Sequence, residues 1–445
     1  MSLFGTSGIR GDANLLFTNQ FCFDIGQAFS NFLNKYNQDG PVSVGMDSRG
    51  SSPRILDAVE LGLSFGGREI VDQGTVPVPA LNWILKVTSY AGSIMVSGSH
   101  ISANLNGLKF FAFKEEILKQ HEQEISRIYE KIKNKEKFQK REIKVEEENR
   151  ANEAYKEMLI GLADEPYPDW KLVVVDTGNG GQSDTMPQTL SRLGIKVSEI
   201  NASIQGEFIA RDTETEGVLA NLQATVKQKK ADMGIAYDYD GDRVVFVDEK
   251  GKFIPGDYTG ALIAKYGDTR KVVTPINTSQ VVEHLGKPVI RTRVGSPYVV
   301  EAMMKNEATF GFEANGGGIS AEIMMSRDGG STTIKVLNIL KKQGGSLSSL
   351  INTLPRFYLN RVKVDCPREL NQVIMKDAKK EFKGKKVEEI DGLKIWLNNN
   401  NWILFRPSSN ALEFRVFAES KDEETARKLG EEGLKLVKEV IKKNG

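Results

Sequence analysis

The sequence predicts an α/β protein made of three similar α/β domains and a smaller C-terminal α+β domain, and three observations carry that prediction. A chain of 445 residues is too long for one hydrophobic core and long enough for several. One unit recurs three times: a β-rich run, a polar loop, an amphipathic helix, a glycine and a second β-rich run. The last segment instead alternates polar and apolar residues and closes on a long Lys/Glu helix.

The first copy of the unit runs from Val42-Ser43-Val44-Gly45 through Gly67 to Ile70-Val71, with Asp47-Ser48-Arg49-Gly50 in its loop. The second runs from Leu172 to Val175, then Asp176-Thr177-Gly178-Asn179-Gly180-Gly181, a helix, Gly194 and Val197. The third runs through Val272-Val273, Asn277-Thr278-Ser279, a helix, Gly286 and Val289-Ile290. Open α/β sheets bind ligands beyond the C-terminal ends of their strands, so functional loops are expected there. The charged stretch from Glu115 to about Arg150 reads as a solvated helix and linker closing the first domain. From about Phe357, Arg361-Val362-Lys363-Val364 and Phe414-Arg415-Val416-Phe417 alternate as strands, before a helix from about Glu423. Boundaries are expected at residues 1–149, 150–249, 250–355 and 356–445.

With 40% apolar and 27% charged residues the composition is that of an ordinary folded protein. Sixty Lys and Arg almost balance 59 Asp and Glu, so there is no bulk field to draw nucleic acid or an anionic membrane. The N-terminus has no basic stretch before an apolar run, and nowhere do about eighteen apolar residues follow one another. A cytoplasmic monomer or homodimer acting on small molecules is expected, without nucleic acid or membrane as partner. Cys22 and Cys366 lack any metal or disulfide spacing and read as core thiols.

The strongest local signal is Asp238-Tyr239-Asp240-Gly241-Asp242-Arg243, set between the apolar runs Met233–Ala236 and Val244–Val247. Residues two apart share a face in an extended strand, and in a Gly-bearing loop they converge. Three carboxylates so gathered repel unless a divalent cation neutralises them. An EF-hand reading fails, because its sixth place needs Gly and holds Arg243, and β-like runs flank the loop. Three protein oxygens leave Mg²⁺ short of ligands, which phosphate and water commonly complete. Ser97-Gly98-Ser99-His100, between Ile94-Met95-Val96 and Asn106-Gly107-Leu108-Lys109, supplies a serine in a Gly turn at a strand end, the presentation a phosphoryl acceptor needs.

The run Ser97 to Lys109 resembles the active-serine loop of the α-D-phosphohexomutases, the family of phosphoglucomutases and phosphomannomutases with the phosphoglucosamine mutases as close relatives. The Asp-x-Asp-Gly-Asp-Arg loop resembles that family's metal loop. Phe4-Gly5-Thr6-Ser7-Gly8-Ile9-Arg10-Gly11 is similar to its N-terminal signature, and Asp47-Ser48-Arg49 with Gly74-Thr75-Val76-Pro77-Val78-Pro79 to its first-domain pattern. Gly311-Phe312-Glu313-Ala314-Asn315-Gly316 resembles the sugar-binding loop, and Arg406-Pro407-Ser408 with Arg415 the phosphate-binding loop. The motifs occur in the family's order along nearly the whole chain.

The resemblance implies four domains around a central cleft, the first three with mixed sheets, each domain contributing one loop. It implies a phosphoserine at Ser99, one Mg²⁺ held by Asp238, Asp240 and Asp242 with an oxygen of that phosphoserine, and a hexose 1,6-bisphosphate intermediate. Lys109 and Arg10 are then candidates for proton transfer and for stabilising the transferring phosphoryl, and charge stabilisation suits Arg10 better, since guanidinium is a poor base. His100 is expected to position the phosphoserine or relay a proton. Arg243 adds positive charge at the reacting group. Arg406, Arg415 and Ser408 are expected on the remote phosphate, where an Arg fork binds bidentately, and Glu313 and Asn315 on sugar hydroxyls. Three departures stand out: Ser409-Asn410-Ala411-Leu412 in the phosphate loop, Ile101-Ser102 after the serine, and Gly317 where many relatives carry His.

The expected activity is interconversion of glucose or mannose 6-phosphate and 1-phosphate, with glucosamine phosphate as the close alternative. A metal-dependent sugar phosphatase and a non-catalytic sugar-phosphate binder are the readings from other classes. His121 and His284 read as structural or surface residues.

Overall fold

The computed structural model describes residues 3–164, 167, 172–408 and 412–444. Four sheets follow one another along the chain. In the first, Val42–Met46 lies between Ile70–Thr75 and Gly92–Val96, all parallel, and the five residues of Val42–Met46 are almost wholly buried, as a strand covered on both faces must be. Leu105–Ala112 returns antiparallel beside Gly92–Val96, and Ile9–Asp12 pairs antiparallel on its far side. The second sheet sets Val173–Asp176 parallel to both Val197–Ile200 and Met233–Tyr237, with Val244–Asp248 antiparallel. The third repeats this with Val272–Pro275, Val289–Thr292 and Phe310–Phe312, then Gly318–Ser320 antiparallel. These are the mixed sheets of three similar α/β domains. The fourth sheet, from Tyr358–Asp365 to Glu413–Ser420, is antiparallel throughout.

One consequence is positional. In each of the first three sheets the last parallel strand turns straight back into its antiparallel neighbour, and in the fourth Trp402–Pro407 turns back into Glu413–Ser420. The four motif loops are the tips of these four hairpins. Their flanking strands are apolar and buried, while the tips carry the polar residues.

Helices pack on the sheets with ordinary end chemistry. Thr18 caps Asn19–Lys35 by accepting from the Phe21 N–H, and Asp328 caps Gly329–Gln343 by accepting from the Ser331 N–H. A continuous core joins the first three domains, drawing Leu81 from the first, Ile235 from the second and Leu337 from the third. The fourth domain has its own core around Ile395, Phe405, Val416 and Val437, and meets the third where Ile276 packs against Trp402, Leu404 and Phe417. Cys22 and Cys366 are buried free thiols. No helix among the described residues is long and apolar enough to cross a membrane.

The stretch from Glu115 differs from its reading as a solvated helix and linker. Glu115–Glu116 joins the edge of the first sheet, and Ile125 and Glu122 of the helix Lys119–Ile132 are buried. Ile117, Ile128, Phe138 and Ile143 pack on the same core. The density of charge hid an apolar face spaced at helical intervals. His121 also has structural work: its Nδ1 accepts from the Leu118 N–H at 3.2 Å, and its ring packs against Phe113. The boundary expected at 249/250 falls inside the second sheet, because Phe253–Ile254 folds back on Val244–Asp248 through a turn at Asp248–Gly251.

Candidate active site

Tyr237 and Val244 are the last paired residues of the second hairpin, and the six between them form its tip. Gly241 takes φ +71°, a left-handed turn that folds the aspartates onto one side. One carboxylate oxygen each from Asp238, Asp240 and Asp242 lies within 4.8 Å of the others, and all three residues are buried. Gathering three buried negative charges is costly, and nearby cations offset it. Lys109 Nζ reaches Asp240 Oδ2 at 2.6 Å and Asp242 Oδ2 at 2.8 Å, and Arg327 reaches Asp242 Oδ2 at 2.8 Å. Burial, with the charges of Asp240 and Asp242, pushes Asp238 up from the usual carboxylate range. For Asp242 burial pushes upward too, but Arg327, Lys109 and Arg243 outweigh it and hold the group well below that range. Asp240 Oδ1 and Asp242 Oδ1 are buried without a hydrogen-bond partner among the described residues. Clustered carboxylate oxygens without hydrogen bonds are the donor set a hard divalent cation takes.

The first hairpin brings the serine to this cluster. Ser99 is fully buried at φ +54°, an uncommon conformation for a residue with a side chain. Its Oγ donates to Asp238 Oδ2 at 2.8 Å and lies 3.3 Å from His100 Nδ1. Its N–H donates to Ser97 Oγ at 2.9 Å, while the Ser97 hydroxyl points to Asp47 Oδ2 at 2.8 Å. Arg49 holds the loop from beneath, donating to the carbonyls of Ser99, Ile101, Ser102 and Leu105 at 2.5 to 2.9 Å. Gly98 is required there, since a Cβ would sit 2.7 Å from Arg49 Cζ. The second tip is also fastened to the first domain at the backbone, where the Val78 N–H, first of the helix Val78–Val87, donates to the Asp240 carbonyl at 2.9 Å.

His100 is pushed well below the ordinary histidine range by burial and by the charges of Arg243 and Arg10, and so is neutral. Arg10, opposite Gly107 in the first sheet, is lowered to about 10 by burial and by Arg243. Arg243 lies 3.6 Å from Asp238 Oδ2 and 3.7 Å from Asp242 Oδ1 through its Nε.

The third hairpin packs so tightly on the second that a Cβ on Gly316, at φ +88°, would lie 1.8 Å from the Val244 carbonyl. Glu313 is buried, with Oε1 accepting from the Gly295 N–H at 3.1 Å and Oε2 from Arg327 at 2.9 Å. Asn315 Oδ1 accepts from the Gly317 N–H at 3.1 Å, which leaves the amide N–H₂ as the free end of that side chain among the described residues.

The fourth hairpin places Arg406 directly opposite Arg415, and Arg415 opposite Lys363 on the next strand. Three cations in one cross-strand row repel, which an anion or nearby carboxylates must offset. Asp391 takes Arg406 at 2.8 Å, and Glu413 takes Arg415 at 2.5 Å and Lys363 at 2.9 Å. The Ser408 N–H donates to the Glu413 carbonyl at 2.9 Å. Ser409, Asn410 and Ala411 lie outside the described residues, and Leu412 is exposed. Asp391 Oδ2 also accepts from the Val294 N–H at 3.0 Å, one residue before the Gly295 that holds Glu313.

Ser99, His100, Lys109, Asp238, Asp240, Asp242, Arg243 and Glu313 thus share one hydrogen-bonded or ion-paired cluster, with Arg10 beside it. Arg406, Ser408 and Arg415 form a second cluster on the fourth domain. Sequence reasoning assigned no role to Arg327 or Asp391 and saw in Arg49 only part of a motif. Arg49 stood inside a quoted run with Asp47, a signal that could have been followed; nothing local marked the other two.

Comparison with known proteins fits this geometry. Three family models match in order: phosphoglucomutase/phosphomannomutase α/β/α domain I over residues 1–136, domain II over 155–251 and domain III over 255–358. A Thermococcus kodakarensis protein named phosphoglucomutase/phosphomannomutase is 36% identical, with 99% of each chain covered. A Thermococcus gammatolerans protein named probable phosphoglucosamine mutase is 33% identical, again over 99% of each. The crystal structure of a phosphoglucomutase/phosphomannomutase family protein from Burkholderia thailandensis superimposes with a TM-score of 0.84 at 22% identity, covering 99% of this chain and 97% of that one.

Proposed function

Because the chain belongs to the phosphoglucomutase/phosphomannomutase family of mutases, we propose that it interconverts the 6-phosphates and 1-phosphates of glucose and mannose through a phosphate carried on Ser99 and a hexose 1,6-bisphosphate intermediate. The observation that carries this reading is the 2.8 Å contact from Ser99 Oγ to Asp238 Oδ2, inside a buried aspartate trio ringed by cations.

Asp238, Asp240 and Asp242, with an oxygen on Ser99, would hold one Mg²⁺; the fit rests on the all-oxygen donor set and on the unpartnered Asp240 Oδ1 and Asp242 Oδ1. When bound, the ion would neutralise charge on the transferring phosphoryl group.

In the first half-reaction the free O1 or O6 of a bound monophosphate attacks the phosphorus on Ser99. The Ser99 Oγ–P bond breaks, the sugar O–P bond forms, and over the step the proton of the attacking hydroxyl passes to Ser99 Oγ, which leaves as a hydroxyl. His100, 3.3 Å from Ser99 Oγ, is placed to relay a proton to that leaving oxygen. Lys109, Arg243 and Arg10 bring the positive charge that a phosphoryl transition state needs. The bisphosphate then turns end for end, and its other phosphate returns to Ser99 by the reverse steps. Arg406, Arg415 and Ser408 hold whichever phosphate is remote, and Glu313 and Asn315 meet sugar hydroxyls.

Asn315 bears on the substrate. With Oδ1 accepting from the Gly317 N–H, its amide N–H₂ is left to donate to a sugar hydroxyl oxygen. A glucosamine phosphate preference is the second reading, supported by 33% identity to the relative named probable phosphoglucosamine mutase. Coupled assays on glucose, mannose and glucosamine phosphates, with intact mass before and after substrate, test both. Isomer exchange with a phosphate on the protein that turns over is expected. Release of inorganic phosphate alone points to a phosphatase, and neither event to a binding protein; either result removes the mutase reading.

A further inference from the structure

We propose that Arg327 is a positioning residue for the sugar-binding loop, spanning Asp242 and Glu313 through space that a side chain at position 317 would otherwise fill. The inference rests on the reading of Glu313 as a sugar ligand and deepens it.

Arg327 ends the last strand of the third sheet, Met324–Arg327, and is almost fully buried. One arm of its guanidinium donates to Glu313 Oε2 at 2.9 Å, the other to Asp242 Oδ2 at 2.8 Å. A single planar fork therefore fixes two carboxylates from different hairpin tips relative to each other, which Lys, with one point charge, cannot do.

Gly317 makes room for it. A Cβ at that position would lie 2.6 Å from Arg327 Cδ and 2.9 Å from Cγ, so the arginine stem crosses where a side chain would begin. Gly317 is outside the left-handed region, so space rather than backbone conformation demands the glycine. The absence of a side chain at 317 and the path of Arg327 into the site thus depend on the same space.

The consequence falls on Glu313. Both of its oxygens are engaged, by the Gly295 N–H and by Arg327, which fixes the carboxylate plane toward the sugar hydroxyls. Without Arg327 the carboxylate would keep only the Gly295 N–H as donor and be free to turn. Asp242 would be less affected, because Lys109 still holds it at 2.8 Å.

The test is a double-mutant cycle read by calorimetric binding of glucose 1-phosphate to the full chain, alongside steady-state kinetics. Arg327→Met is expected to raise Kd and KM at least about tenfold, the size of a lost hydrogen bond to a charged group, and to lower kcat by a smaller factor. In a Glu313→Gln background the same substitution is expected to change Kd less than about twofold, since a residue acting through Glu313 has nothing left to position. Gly317→Ala keeps every charged group and is expected to raise Kd several-fold by displacing the arginine stem; it decides the matter if Arg327→Met fails to fold by circular dichroism. Additive losses in the cycle, an unchanged Kd in Gly317→Ala, or no binding of glucose 1-phosphate to the unaltered protein would each overturn the proposal. Binding without turnover would instead count against the mutase reading, and the cycle would still decide the role of Arg327.

Discussion

Ser99 and Asp238 stand 139 residues apart in the chain, yet the hydroxyl of one donates to the carboxylate of the other across 2.8 Å. Two hairpin tips from separate sheets meet there, and the helix Val78–Val87 of the first domain holds the second tip at the backbone through the Val78 N–H and the Asp240 carbonyl. Ser99→Ala should therefore cost at least about a thousandfold in turnover and abolish the exchangeable phosphate. Alanine is strained at φ +54°, so Ser99→Gly, which relaxes there, separates lost chemistry from strain and should be equally inactive. Intact mass and the coupled assay check this; a variant retaining a turning-over phosphate would move the acceptor elsewhere.

Asp240→Asn should lower kcat by about a hundredfold or more while moving KM only a few-fold, because the carboxylate acts on the transferring group rather than on the sugar. It lies against Ser97 and Lys109 and has one oxygen unpartnered. Steady-state kinetics with saturating Mg²⁺ measure both parameters, and equal damage to the two contradicts the assignment.

Arg415→Ala should raise KM by about tenfold with kcat within about threefold, as expected for loss of one charge-assisted phosphate contact. Arg415 sits opposite both Arg406 and Lys363, and its removal also relieves repulsion. Kinetics on glucose 1-phosphate test it, an unchanged KM taking Arg415 out of the binding loop.

A pH effect is expected far from the site. Glu60, on the helix Ser52–Phe65, is pushed up to about 8 by burial and by the charges of Asp72, Asp57 and Glu147. Its folded value lies above its unfolded one, so its contribution is fully present below about pH 4.5 and is lost as pH rises through about 8. Urea midpoints across that window should fall with rising pH, and Glu60→Gln should flatten the slope; an unaltered slope in the variant would contradict the assignment.

The same helix gives a packing test. A Cβ on Gly62 would lie 2.0 Å from the Phe23 carbonyl of the helix Asn19–Lys35, so these helices touch at their backbones. Gly62→Ala should destabilise the protein by about 1–3 kcal/mol, the usual cost of overpacking, read as an earlier urea midpoint. A neutral result would mean that the helix pair can separate without strain.

What the sequence alone determined was local. The aspartates at 238, 240 and 242 were legible because their spacing of two, with Gly241 between, dictates convergence within a single turn. The α/β units were legible because apolar periodicity and glycine punctuation act over a few residues. The face of the Lys119–Ile132 helix was misread since charge density outweighed the buried Ile125 and Glu122.

Only the tertiary structure decided who meets whom. Lys109 reaching Asp240 and Asp242, Arg327 bridging Asp242 to Glu313, and Asp391 joining Arg406 to the Val294 backbone each span 14 or more residues, some more than 130. Such pairings depend on how separate hairpins are set against one another by the cores beneath them, and no local pattern encodes that distance. Gly317 is the sharpest instance: in sequence it is an absent side chain, and in the fold it is the room Arg327 occupies.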